Sequence, residues 1–390
     1  MSPGETALGP EDLAVDRDLA DISQSFRFLL DVTPVNVVDA RQQFLGSSAA
    51  EPEFEYRALE DDPAVIAKRL DAVDVEAVVD HTLSHLLQAM RRELELQLEM
   101  LRARETNDFL ALSIELYGTV SPALLERAEA LLGDLEPSRT AGPWLDAEAF
   151  ARRAQIELDH YRALEPDLPV HVEIRDDCSG IMVSNGDLLI SSALRIAESR
   201  VDALLHHEVG THIVTYVNGC RQPLRVLASG LAGYEETQEG LAVLAEYLIG
   251  GLTIARVRQI AARVVAVHHM VEGQSFRSVH RLLVGRGVSP TEAFSIAMRV
   301  YRAGGLTKDA IYLRGLNDLV AHLGVRRSID VLWLGKMPLS SAPLIEELWQ
   351  RGALIPPLIL PRYLEDPGTQ DRIAGLEDAT SVVDLLRSSS

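Results

Sequence analysis

The sequence predicts an α+β fold, predominantly helical, with one small β-sheet. Three observations carry that reading. Leu83, Leu86, Leu87, Met90, Leu94, Leu98 and Leu101 recur at steps of three and four, the period of a helix that buries one apolar stripe. Val170 to Arg175 alternates apolar and polar residues, the period of a half-buried strand, and Asn185-Gly186 between Ile181–Ser184 and Leu188–Ser191 is a hairpin-turn signal. Helical patterning returns from about Ser192 and fills most of the remainder.

Taken in order, residues 1–15 are polar, with Gly and Pro, and are expected to be poorly ordered. Ser47–Glu53 reads as a loop. The helical pattern covers Asp62 to Tyr117 and breaks at Gly118 and Pro122. Further helices are expected over Pro122–Leu132 and Asp146–Arg162. After the β section, loops fall at Gly219–Pro223, Gly285–Pro290 and Gly304–Lys308. Val331–Leu334 is expected as one more strand. Ile355–Pro361 should be a rigid extended connector, because its prolines fix φ and bar a helix. The tail Ser388–Ser390 should be loose. The organisation is thus a partly disordered lead-in over 1–50, a helical subdomain over 51–165 and a core over 166–390, the last two able to form one continuous domain.

A chain of 390 residues with 47% hydrophobic and 24% charged residues has the balance of a soluble globular protein and can bury a large core. Its net charge of −21 repels phosphates and anionic lipid, so neither nucleic acid nor a membrane is an expected partner. The same field disfavours an acidic substrate unless a local basic pocket overrides it. Cys178 and Cys220 make no disulfide framework and fit a reducing compartment. The acidic N-terminus lacks the pattern of a secretory signal, and no apolar run has the length of a membrane span, so the expected location is the cytoplasm.

The chemistry concentrates in His206-His207-Glu208-Val209-Gly210-Thr211-His212. Two imidazoles and one further ligand suit zinc with an open position for water, and a Glu beside the first His can take the water's proton. The usual spacing of two such histidines is four residues, one above the other on a helix. Here it is five, which at about 100° per residue turns them about 140° apart on an ideal α-helix. A single π-bulge would return them to one face, and Gly210 lies where backbone freedom would help. Downstream, Tyr234-Glu235-Glu236-Thr237-Gln238-Glu239-Gly240-Leu241-Ala242 reads as a helix start with acidic residues in its first turn. Gly240 and Ala242 would let this helix approach the first closely, making Glu239 a natural third ligand. Glu235, one turn earlier on the same face, is its rival. Glu236 and Glu246 are expected to be solvated or to support the ligands.

His-Glu-Val-Gly-Thr-His followed by Gln-Glu-Gly-Leu-Ala resembles the bacterial flavohaemoglobin expression-modulating QEGLA-motif proteins, relatives of the eukaryotic microtubule-associated tyrosine carboxypeptidases. Further matching stretches are Glu53–Tyr56, Phe109 to Gly118, Arg299–Arg302 and Thr307–Asp309 to Leu313. The resemblance implies a zincin-like metallopeptidase core, one catalytic zinc ion per chain, and removal of a C-terminal residue from a peptide or protein. It implies His207, His212 and Glu239 as ligands and Glu208 as general base. Tubulin specificity does not carry over, because a tubulin tail is acidic.

Among the remaining candidates, Arg302 and Lys308 could bind a substrate's α-carboxylate, and the hydroxyl of Tyr312 could polarise the scissile carbonyl. His206 points away from the ligand pair and should be structural. His268 and His269 read as a helix face lining the cleft, and Cys220 as a buried or loop cysteine. Strand Leu188–Ser191, just before the metal helix, is expected to pair with an extended substrate. The expected function is therefore a zinc metallocarboxypeptidase. The alternative is a non-catalytic regulatory or peptide-binding protein that retains the zinc site.

Overall fold

Short polar side chains start many of the helices. Asp62, Asp80, Ser121, Asp146, Thr253, Ser275 and Ser289 each accept a backbone N–H of the first turn that follows them. The computed structural model of the chain describes residues 8–46, 51–137, 142–178, 180–325, 328–377, 379–382 and 384–385. Its α-helices are α1 (Pro10–Gln24), α2 (Phe28–Asp31), α3 (Val37–Gly46), α4 (Pro63–Asp71), α5 (His81–Arg102), α6 (Asp108–Tyr117), α7 (Pro122–Asp134), α8 (Ala147–Leu164), α9 (Val201–His207), α10 (Val214–Arg221), α11 (Val226–Ser229), α12 (Tyr234–Leu248), α13 (Ile254–Val271), α14 (Phe276–Gly285), α15 (Pro290–Tyr301), α16 (Ile311–Gly324), α17 (Ala342–Gln350) and α18 (Pro367–Ala374). The strands are β1 (Trp144–Leu145), β2 (Val172–Arg175), β3 (Ile181–Ser184), β4 (Asp187–Ser191) and β5 (Ile196–Ala197). The predicted class, α+β and mostly helical, holds.

The leucine stripe of α5 is buried along its length, from Leu83 to Leu101. Its side chains belong to one apolar cluster that runs from Val15 to Leu385 and includes the inner faces of α12, α13 and α16. The hairpin forms as expected, with Asn185 at φ 50° and Gly186 at φ 88°, the left-handed pair of a tight type I′ turn. Strand β2 adds to it in parallel, Val172 opposite Leu188, so the sheet order is β2-β4-β3 and β4 is central.

Several expectations need correction. Residues 10–24 form a packed helix rather than a loose lead-in. The acidic side chains there are buried acceptors: Asp12 takes the N–H of Val79, and Asp16 those of Arg225 and Val226 at 2.8 and 3.1 Å. Residues 1–7, 47–50 and the tail Ser388–Ser390 lie outside the described residues. Val331–Leu334 is not a strand but part of a 3-10 turn, Asp330–Leu334, with Trp333 and Leu334 buried. Helix resumes at Val201 rather than Ser192, because β5 intervenes to pair with β1. The segment after Gly219 stays helical to Arg221. Residues 355–361 are extended as predicted, held by the side chains of Asn218 and Gln222, which exchange hydrogen bonds with the backbone of Ile355, Leu358 and Ile359. Gly240 does not serve the metal helix. A Cβ there would meet the backbone of Gly315 at 2.5 Å, and one on Gly315 would meet the carbonyl of Glu236 at 2.0 Å. The two glycines instead let α12 and α16 cross backbone to backbone.

Candidate metal centre

Between α9 and α10 the helix widens into a π-helical turn, Glu208–Ile213. That turn puts His207 and His212 on one face, their rings 5.3 Å apart and nearly perpendicular. Gly210 bears on space rather than on backbone freedom: its φ is not positive, and a Cβ would sit tightly against Tyr363 at 3.2 Å and His206 at 3.3 Å. Helix α12 then brings Glu239 to the pair. Its Oε2 lies 3.7 Å from His207 Nε2 and 3.9 Å from His212 Nε2. His207, His212 and Glu239 thus form a cluster of ligand atoms within 4.8 Å of one another, able to hold a metal ion. Glu235 is not part of it.

The surroundings fit a metal. Glu239 Oε2 is buried without a hydrogen-bond donor, an arrangement that costs free energy unless a cation meets it. Both histidines commit Nδ1 to an acceptor, His207 to Glu246 at 3.0 Å and His212 to Gln238 at 3.3 Å. With Nδ1 donating, each Nε2 can offer its lone pair to a metal. Without one, burial lowers His207 but Glu239 and Glu246 outweigh it and push it up to about 9, so its Nε2 carries a proton that a metal would displace. Gln238 Oε1 also lies 2.8 Å from the hydroxyl of Thr215, which is equally close to the Thr211 carbonyl. Glu246 is fully buried, held by Arg200 and by Arg256 Nε at 3.1 Å; it supports His207 and is not solvated.

Glu208 is buried with an oxygen 4.0 Å from His207 Nε2. Burial pushes its pKa up to about 7, against the pull of His207, which places it where a carboxyl can both take and return a proton. Burial pushes His212 down to about 4. Burial also raises Glu239, but Lys308 and the two histidines outweigh it and hold the carboxyl well below its ordinary range.

The cavity over the cluster is lined by Ile181, Met182 and Val183 of β3, by Glu208, Tyr234 and Glu235, by Met298, Arg299 and Arg302, and by Lys308, Tyr312 and Lys336. Its remaining wall is Leu29, Leu30 and Thr33, from the segment read as a lead-in. The expectation that Leu188–Ser191 pairs with substrate fails, because both edges of β4 are occupied; the edge strand at the cavity is β3. Arg302 is buried, donates to Thr33 Oγ1 at 2.8 Å, and forms no ion pair among the described residues. Lys308 is held by Glu239 and Glu235 at 3.3 and 3.4 Å. Tyr312 faces the cavity with its ring under Arg263 at 4.6 Å and its hydroxyl 3.4 Å from Arg299 Nη2.

His206 stands apart, its ring against Tyr363, as expected. His268 and His269 do not line the cavity. Cys220 is exposed near the end of α10 rather than buried, and Cys178 is the buried thiol. The sequence reading missed Arg299, Gln238 and Lys336 as lining groups. Arg299 lies one turn before Arg302, a spacing that places both on one face; nothing local marked the other two.

A His-His-Glu cluster, with His207 buried and His212 and Glu239 half-buried, beside a further carboxyl in a cleft defines a candidate metal-dependent hydrolase. Comparison with known families is more specific: the profile of the microtubule-associated tyrosine carboxypeptidases matches residues 42–378, and the chain belongs to that family. It is 26% identical over 208 residues to microtubule-associated tyrosine carboxypeptidase 1 of mouse. That alignment covers 46% of this chain and 43% of the mouse protein, so the chain spans under half of that relative's length. Among the described residues no helix is long and apolar enough to cross a membrane.

Proposed function

We propose that the protein is a zinc-dependent carboxypeptidase that releases the C-terminal residue of a peptide or protein. One observation carries this: a single cavity joins the His207–His212–Glu239 cluster to Glu208 and to Arg302, a buried guanidinium without a carboxylate partner among the described residues. Zinc held by the three ligands supplies Lewis acidity toward the scissile carbonyl. The chain's own groups do the rest. Glu208 takes a proton from the attacking water and returns it to the leaving amine. Arg302 receives the α-carboxylate, the anion its burial calls for. The free edge of β3 pairs with the extended substrate, and Tyr312, steadied by Arg299, donates to the carbonyl oxygen. The family's name points to a terminal tyrosine. The walls of Leu29, Leu30 and Met298 suit an apolar or aromatic side chain. The net charge of −21 supports a protein that binds neither nucleic acid nor anionic membrane, and its cysteines, free in the structure, suit the cytoplasm.

Metal analysis of the purified protein tests the site. The expected result is one zinc per chain, lost when His207 and His212 are both alanine. A chain without bound zinc, or one that keeps it in the double variant, contradicts the proposal.

A further inference from the structure

Lys308 was expected to bind substrate, yet its surroundings assign it elsewhere. It is only 2% exposed, and an ammonium so buried is costly unless carboxylates meet it. Two do, the Oε1 atoms of Glu239 and Glu235 at 3.3 and 3.4 Å. The turn that carries it, Thr307–Ala310, is anchored on both sides of Lys308. Thr307 donates twice to Ser113 of α6, from its backbone N–H to the hydroxyl at 2.8 Å and from its own hydroxyl to the carbonyl at 3.0 Å. Asp309 grips Arg299 through both carboxylate oxygens, at 2.6 and 2.8 Å. The ammonium is therefore fixed in place before any ligand arrives.

Glu235 and Glu239 lie one turn apart on the same face of α12. With Lys308 between them, Glu239 has Oε1 engaged, and only the unpartnered Oε2 faces the histidines. We propose that Lys308 is a positioning residue of the metal centre: it restricts Glu239 to one ligand oxygen and keeps Glu235 out of the coordination sphere. This preserves the open position that a catalytic site requires and a closed structural site lacks. The inference rests on the metallopeptidase reading above and refines it.

The test loads wild-type protein, Lys308→Met and Glu235→Gln with zinc or cobalt(II). Zinc coordination is read by X-ray absorption, the cobalt visible bands by spectroscopy, and peptide hydrolysis separately. Wild type is expected to be about four-coordinate. Lys308→Met should raise the coordination number and weaken the cobalt bands. Its kcat should fall roughly 10–100-fold with KM unchanged, as for other groups that hold metal ligands in place. Glu235→Gln should keep the metal, its coordination number and KM, which remains informative should Lys308→Met fold poorly. Unchanged coordination with a raised KM in Lys308→Met would make Lys308 a substrate anchor and overturn the inference alone. Loss of metal in Glu235→Gln would make Glu235 a ligand and overturn it too. A wild-type chain that binds no metal removes the underlying reading as well.

Discussion

Each cluster histidine has Nδ1 beside a side-chain oxygen, an arrangement that leaves Nε2 for a metal. Glu246 does this for His207 from a fully buried position, anchored by Arg200 and Arg256. Glu246→Gln should weaken metal affinity about 10–100-fold, measured by competition with a chelator of known strength. The role proposed for Glu208 concerns protons instead. Glu208→Gln should retain full metal content and lose about 10²–10⁴-fold in kcat; unchanged turnover would remove the base role. At this scale the sequence was most legible where chemistry and spacing coincide, as in His207, Glu208, His212 and Glu239. It was least legible for Glu246. That carboxylate sits seven residues beyond Glu239, and its burial depends on Arg200 and Arg256 from two other elements, which no local pattern reveals.

The metal site depends on how three elements are shaped and crossed. The five-residue spacing already demanded a bulge, and the π-turn at Glu208–Ile213 is there. Which partner the small residues of α12 served was not readable. Gly240 has no partner in its own segment, and Gly315 lies far along the chain on α16. Gly315→Ala would set a Cβ against the Glu236 carbonyl, which cannot retreat without moving the helix that carries Glu239. It should cost about 1–3 kcal/mol in denaturant unfolding, with metal affinity lowered in the same variant. The turn carrying Lys308 has its own electrostatic signature. Burial raises Asp309, but Arg299 and Arg263 outweigh it and hold the carboxyl well below its ordinary 3.8. A depressed folded value contributes stability above the unfolded pKa and loses it as pH falls toward the folded one. Asp309→Asn should therefore cost about 3–5 kcal/mol near neutrality. The gap from wild type should be constant above about pH 5 and narrow below it.

Across the whole molecule, the cavity over the His-His-Glu cluster draws on distant parts of the chain. Leu29, Leu30 and Thr33 close one wall, and Thr33 orients Arg302. Composition assigned these residues to the lead-in over 1–50, because Asp12 and Asp16 look solvated until their backbone partners from other segments are seen. The metal should also couple to global stability. Adding zinc to the demetallated protein should raise Tm in proportion to the logarithm of its concentration above Kd, and a His207→Ala, His212→Ala double variant should not respond. The central claim, hydrolysis at a free C-terminus, is tested most directly by incubating paired peptides, free acids and C-terminal amides, with the zinc-loaded protein and weighing the products. The account predicts loss of one residue from the C-terminus of the free acids, none from the amides, and no reaction with Glu208→Gln. Internal cleavage, or equal trimming of the amides, would contradict it.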